Sequence, residues 1–137
     1  MSKVRWGWLP EVAGTSREPI IRVTAMPADA NAYGDIFGGW LMGLMDMGAG
    51  LIAARRSRGR AVTVAMDGLQ FHHPVKVGDE ISVYGELQKI GRTSMTICIE
   101  AWRRHRHEET AVKVTEAQFT FVAVDDTGEP RVIDQEI

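Results

Sequence analysis

The chain carries one cysteine, Cys98, among its 137 residues. No disulfide can form within it, and the class of small secreted domains stapled by disulfides is excluded. Neither sign of charge is in excess: 16 Lys and Arg stand against 18 Asp and Glu, a formal net charge of −2. A surface adapted to phosphate backbones or to an anionic membrane needs a basic surplus, so neither nucleic acid nor membrane is expected as a partner. Long hydrophobic runs are also missing. The most apolar stretch, Trp40 to Ala54, falls short of the roughly 20 residues that cross a bilayer, and Asp46 interrupts it. Met1 to Val12 has no apolar run of the kind a secretory leader needs, so a cytoplasmic location is expected. There is no GxSxG elbow, no CxxC pair and no glycine-rich phosphate loop. What the chain does have is 45% hydrophobic and 25% charged residues, an ordinary globular balance, and 14 glycines. Its length fits one domain, which on folding buries roughly two-thirds of its surface without metal staples.

Residues 1–18, with Trp6, Trp8 and Pro10, lack periodicity and read as a loosely attached arm whose tryptophans pack on the domain or on a partner subunit. Residues 19–133 read as the domain and 134–137 as a tail. Ile20 to Met26 is a strand pattern, and Pro27 to Gly34 is rich in turn formers. From Gly38 to Ser57 the apolar residues Trp40, Leu41, Leu44, Met45, Gly48, Leu51 and Ile52 fall in one helical arc, a core face. Arg55, Arg56 and Arg58 sit at the negative end of that helix, and Gly59 can end it. Ala61 to Phe71, Ile81 to Ile90, Thr93 to Trp102 and Ala111 to Val124 read as strands, with Val62, Val64 and Met66 alternating in the first. Short joints predict that successive strands are antiparallel neighbours. The expected class is therefore α+β: one long helix wrapped by a curved antiparallel sheet of about five strands.

The helix side opposite that core arc is bare. Gly39, Gly43, Asp46, Gly50 and Ala53 share it, and a helical glycine costs about 1 kcal/mol relative to alanine. Such a stripe implies close approach, by a second helix or by a thin ligand. Asp46 is the only polar side chain on it, and a lone carboxylate in a narrow, partly desolvated site suits a general base or a nucleophile. Just upstream, Gly38 and Gly39 leave helical N–H groups uncovered at the positive end of the dipole, where an oxyanion would be stabilised. Asn31 and Asp35 belong to the same loop and are candidates for the site, or else a turn residue and a helix cap. Asp46 and Gly39 lie about 10 Å apart along one helix, too far to serve one reacting carbon. If both act on one substrate they come from different subunits of a twofold dimer, which then has two composite sites.

Met26-Pro27-Ala28-Asp29-Ala30-Asn31-Ala32-Tyr33-Gly34-Asp35-Ile36-Phe37-Gly38-Gly39-Trp40, followed by Met45-Asp46-Met47-Gly48, closely resembles the hotdog-fold acyl-CoA thioesterases of the bacterial YciA-like type. The likeness extends through Val62-Thr63-Val64-Ala65, Pro74-Val75, Val77-Gly78-Asp79, Gly91-Arg92-Thr93-Ser94 and Phe119 to Asp125; Tyr33 and His72-His73 depart from the family pattern. The resemblance implies hydrolysis of acyl-CoA to a free acid and CoA without a further cofactor, by dimers that often assemble as trimers of dimers. It implies Asp46 as the catalytic acid, Asp35 as the polar position before the helix and a backbone N–H near Gly38-Gly39 as oxyanion donor. It also places Thr63 and Val64 among the substrate contacts. CoA phosphates call for cations, first Arg92 with the Thr93 and Ser94 hydroxyls, then Arg55 and Arg56. Two rival readings are an acyl-thioester hydratase or dehydratase, which needs a histidine that this helix lacks, and a non-catalytic acyl-CoA binder, which has no use for Asp46. His105 and His107 sit in a run of Arg and Glu that reads as a solvated turn, so no metal site is expected.

Overall fold

The computed structural model describes residues 18–135. The arm tryptophans Trp6 and Trp8 lie outside these, as do residues 136–137. In chain order the elements are β1 (Ile21–Thr24), a single 3-10 turn (Pro27–Asp29), α1 (Gly38–Ser57), β2 (Ala61–Phe71), β3 (Glu80–Ile90), β4 (Ser94–Arg104) and β5 (Ala111–Ala123). The strands form one sheet in the order β1-β3-β4-β5-β2, every pair antiparallel. β3–β4 and β4–β5 are neighbours, as their short joints predict. β2 and β3 are not: β2 crosses to the far edge and pairs with β5. The Pro74–Asp79 connection is instead tied to β1 and to the loop before α1, through Gly78 N–H to Ala25 O (2.8 Å) and Ile36 N–H to Val75 O (2.9 Å). A joint of that length reaches across layers as easily as it turns a hairpin.

α1 lies against the concave face, packed on β2, β3, β4 and β5. Leu41, Leu44, Met45, Gly48, Ala49, Ala53 and Ser57 are its buried residues. Each fully buried Leu or Met contributes about 1.5–3 kcal/mol of apolar burial. Two expectations about the helix are corrected here. Leu51 stands half exposed, and Ala53, expected on the bare stripe, is fully buried. The curved sheet keeps contact with the i, i+4 row Met45, Ala49, Ala53 and Ser57, so the buried face rotates toward small residues along the second half of the helix. The opposite side of that half carries Met47 and Leu51, 57% and 50% exposed. Among the described residues no helix is long and apolar enough to cross a membrane.

The helix ends at Arg58, not Gly59. Arg58 adopts the left-handed conformation (φ 58°) and its N–H returns to Ala54 O. Gly59 is needed for another reason: a Cβ there would stand 2.6 Å from Nη2 of Arg131, whose guanidinium passes over it.

Candidate active site

The first turn of α1 is uncapped. Phe37 is the N-cap residue and makes no side-chain cap bond, so among the described residues no capping side chain meets the N–H groups of Gly38 and Gly39. Asp35 is therefore not the cap; it pairs with the Lys76 ammonium and bridges in backbone register to the same residue. Asn31 folds the loop on itself, its Oδ1 accepting from the N–H of Tyr33 (2.8 Å) and of Asp35 (3.2 Å). That arrangement is an Asx turn. Phe71, the last residue of β2, lays its ring over Gly38, where a Cβ would stand 3.2 Å from the ring carbons. Beside it opens a cavity of about 240 Å³ lined by Ile36, Phe37, Leu41, Phe71 and His73.

Asp46 sits two turns further along. The Thr63 hydroxyl donates to its Oδ1 at 2.6 Å. A second cavity, of about 260 Å³, is formed there by Met42, Gly43, Asp46, Thr63, Met66 and Phe119. Thr63 reaches Asp46 because the β2–β5 register slips between Thr63 and Ala65. That irregularity turns Thr63 and Met66, opposite Phe121 and Phe119, toward the helix together, and leaves Val62 and Val64 on the exposed side. Among the described residues nothing comes within 4 Å of a Cβ built on Gly39 or Gly43, and at Gly50 only the Phe121 ring stands at ordinary contact distance. The protomer leaves the first half of the stripe open. α1 is unbroken from Gly38 to Ser57, so Asp46 and Gly39 of one chain remain about 10 Å apart along its axis.

The cationic candidates gather at the other end. Arg56 Nη1 donates to Asp134 O (2.9 Å), Ile133 N–H to Arg92 O (2.8 Å) and Gln135 Nε2 to Gly91 O (3.2 Å). Arg92 and Arg56 thus flank one C-terminal segment, about 15 Å beyond Asp46 along the helix. Arg92 and Arg55 are exposed. Thr93 fixes its turn through its carbonyl, which accepts from Ala123 N–H, and Ser94 O accepts from Gly91 N–H. Cys98 is no nucleophile: burial foremost, then the carboxylates of Glu100, Glu116 and Glu86, push its thiol up to about 12. His105, read as solvated, is instead bonded through Nδ1 to the buried carboxylate of Asp79 (2.8 Å), with Arg103 at its Nε2 (2.8 Å). No cluster of three or more His, Cys, Asp or Glu that could hold a metal occurs among the described residues.

Three features escape sequence reasoning. The Thr63–Asp46 bond joins residues 17 positions apart through an irregular strand, and no local pattern marks it. The placement of Phe71 depends on β2 crossing to the far edge. Met42 and Met66 look like ordinary core residues until the cavity they line is seen.

Residues 33–110 match the family model described as Thioesterase superfamily. The chain is 58% identical over 113 residues to an uncharacterised acyl-CoA thioester hydrolase of Zymomonas mobilis, covering 82% of this chain and 76% of that one. It is 46% identical over 117 residues to the acyl-CoA thioester hydrolase YciA of Escherichia coli, covering 83% and 89%. The crystal structure of a hexameric thioesterase from Yersinia pestis superposes with a TM-score of 0.83 at 47% identity, over 86% of this chain and 97% of that one.

Proposed function

The chain belongs to the thioesterase superfamily, and from that premise we propose that it hydrolyses acyl-CoA to a free carboxylic acid and CoA. The observation that carries the reading is the Asp46 carboxylate, held by Thr63 in an apolar cavity on a helix whose N-terminus is left uncapped. Hydrolysis breaks the C–S bond, puts water oxygen on the acyl carbon and returns a proton to the departing thiolate. Asp46 either takes the proton from the attacking water or attacks the carbonyl itself, forming an anhydride that water then opens. In both routes negative charge develops on the carbonyl oxygen, and the Gly38 and Gly39 N–H groups of a partner subunit would receive it. Thr63 positions the carboxylate. The chemistry requires water alone; CoA enters as part of the substrate.

One helix cannot bring both halves to one carbon. Two copies of α1 running antiparallel through the open Gly39–Gly43 stripe set Asp46 of one against the Gly38-Gly39 terminus of the other, twice per dimer. The Yersinia pestis relative is a hexamer, which supports a homo-oligomer for this chain, as a trimer of such dimers. Arg92, with Thr93, Ser94, Arg55 and Arg56, would meet the CoA phosphates at the far end of a pantetheine arm that runs from Asp46 past the β2 edge at Thr63 and Val64. Asp46→Asn should lower kcat by at least about a hundredfold, the lower end of what general-base catalysis contributes, with the melting temperature nearly unchanged. Free-thiol release across acyl-CoA chain lengths measures it, and a variant as fast as wild type removes Asp46 from the chemistry. Single turnover in oxygen-18 water tests for the anhydride: label in the aspartate, left when water opens the anhydride at its aspartyl carbonyl and an enzyme oxygen leaves in the acid, establishes direct attack.

A further inference from the structure

The two cavities along α1 differ in kind. The one beside Asp46 has a carboxylate and a hydroxyl in its wall. The one beside Gly38, about 240 Å³, is bounded by Ile36, Phe37, Leu41 and Phe71, and His73 is the only polar side chain lining it among the described residues. Phe71 reaches this place because β2 holds one extra residue. Asp67 pairs with Gln118 and Gln70 with Glu116, so β2 advances three positions while β5 advances two. Gly68 supplies the left-handed backbone within that bulge (φ 76°). An extra residue reverses the alternation of faces and re-aims the side chains beyond it. Met66 and Leu69, three apart, accordingly both pack on the core, and Phe71 follows Leu69 onto the helix side, its ring over Gly38. The hydroxyl of the fully buried Thr115 donates to Gln70 O (2.5 Å) and fixes the strand in this phase.

We propose that the Gly38 cavity receives the acyl chain of the substrate, and that Phe71 and His73 set which chains fit. The inference rests on the proposed function, which gives the chain its direction. The carbonyl oxygen lies on the Gly38 and Gly39 N–H groups, and CoA leads away from the partner's Asp46 toward Arg92. The acyl chain then runs the other way, into the cavity of the protomer that supplies the donors, because Gly38 itself lines that cavity. The lining suits such an occupant: an apolar chain gains nothing beside the Asp46 carboxylate and buries its methylenes against Ile36, Leu41 and Phe71. The size suits it too. At about 30 Å³ for a group the size of water, the cavity holds roughly eight, so an octanoyl chain fills it and a lauroyl chain overruns it. Phe71 is 47% exposed and His73 is exposed as well, so both can change without emptying the core.

The test compares kcat/KM for butyryl-, octanoyl- and lauroyl-CoA. A methylene buried in an apolar pocket is worth about fourfold, so the wild type should favour octanoyl over butyryl at least about tenfold and gain nothing further with lauroyl. Phe71→Ala, which opens the wall, should raise the lauroyl-to-octanoyl ratio at least about fivefold. His73→Trp, which narrows it, should lower the octanoyl-to-butyryl ratio severalfold. Ratios leave aside any uniform loss of activity, and ratios equal to wild type in both folded variants overturn the proposal. Calorimetry on Asp46→Asn, which should bind substrate without consuming it, separates this proposal from the proposed function and decides if the wall variants do not fold. Octanoyl-CoA bound at least about tenfold more tightly than CoA supports the cavity as the acyl site even if no thioester is hydrolysed. Equal affinities overturn it even if hydrolysis is fast. A wild type that hydrolyses none of the three overturns the proposed function instead.

Discussion

The two ends of α1 are built on opposite plans. At the C-terminal end the chain closes its own backbone. Arg58 turns left-handed, and the Arg131 guanidinium donates to Ser57 O (2.9 Å), Ser57 Oγ (3.1 Å), Val124 O (2.9 Å) and Arg60 O (3.2 Å). Among the described residues nothing comparable stands at the N-terminal end: Phe37 offers no cap, and no atom lies within 4 Å of a Cβ built on Gly39. Forgoing an N-cap side chain costs about 1 kcal/mol, and the proposed function gives that cost a use, as backbone donors for the substrate oxyanion. On that reading, closure and chemistry are divided between the ends of one helix.

The largest expected effect breaks the open end. Gly39→Val should lower kcat at least about tenfold by crowding the oxyanion donors; a Cβ there meets no atom within 4 Å among the described residues of the protomer, so the fold of one chain should tolerate it, and sedimentation has to show that the variant still dimerises across the stripe. Mixing it with Asp46→Asn sharpens the point. A verified mixed dimer holds one site with both lesions and one with neither, so about half the activity should return. Verified heterodimers that stay inactive would assign both halves of the site to one chain. Breaking the sealed end should do the reverse. Arg131→Ala removes charge-assisted bonds to backbone carbonyls and should destabilise by about 2–3 kcal/mol, lowering Tm by roughly 5–10 °C. Its kcat should match wild type below that transition. A smaller effect belongs to Arg92→Ala, which should raise KM a few-fold at low salt and leave kcat alone, since a phosphate contact acts equally on ground and transition states.

Legibility in the sequence divides by range rather than by importance. The bounds of α1 and of β2 follow from local apolar spacing and flanking glycines, because period and punctuation are properties of neighbouring residues. The crossing of β2 to the sheet edge is not local, and with it go Phe71 over Gly38 and Thr63 against Asp46. Asp46 itself stands out only because its helix face lacks the charges that solvent-facing helices carry. Gly59 shows the converse: it sits where a helix-ending glycine belongs, yet the left-handed residue is Arg58, and the glycine makes room for a side chain 72 positions away.

The smallest expected effect concerns how the sealing arginine is aimed. Asp125 Oδ1 accepts from the Thr127 hydroxyl (2.7 Å) and from the N–H groups of Thr127 (2.9 Å) and Glu129 (3.0 Å). This turn, with Gly128 at φ 88°, folds the chain back so that Val124 pairs with Pro130 and Arg131 points at the helix end. The Thr127 hydroxyl foremost, then the N–H of Glu129, holds the Asp125 carboxyl below its ordinary value. A carboxyl depressed in the folded state contributes stability above its unfolded pKa, about 3.9, and loses it as pH falls through that value and below. Asp125→Ala should therefore melt slightly lower than wild type at pH 7, by less than Arg131→Ala, and the gap should close as pH drops below about 4. Melting curves of the three proteins between pH 3 and pH 7 test this. A gap that does not narrow at all between pH 5 and pH 3 would mean that backbone geometry, not the ionised carboxylate, holds the turn that aims Arg131.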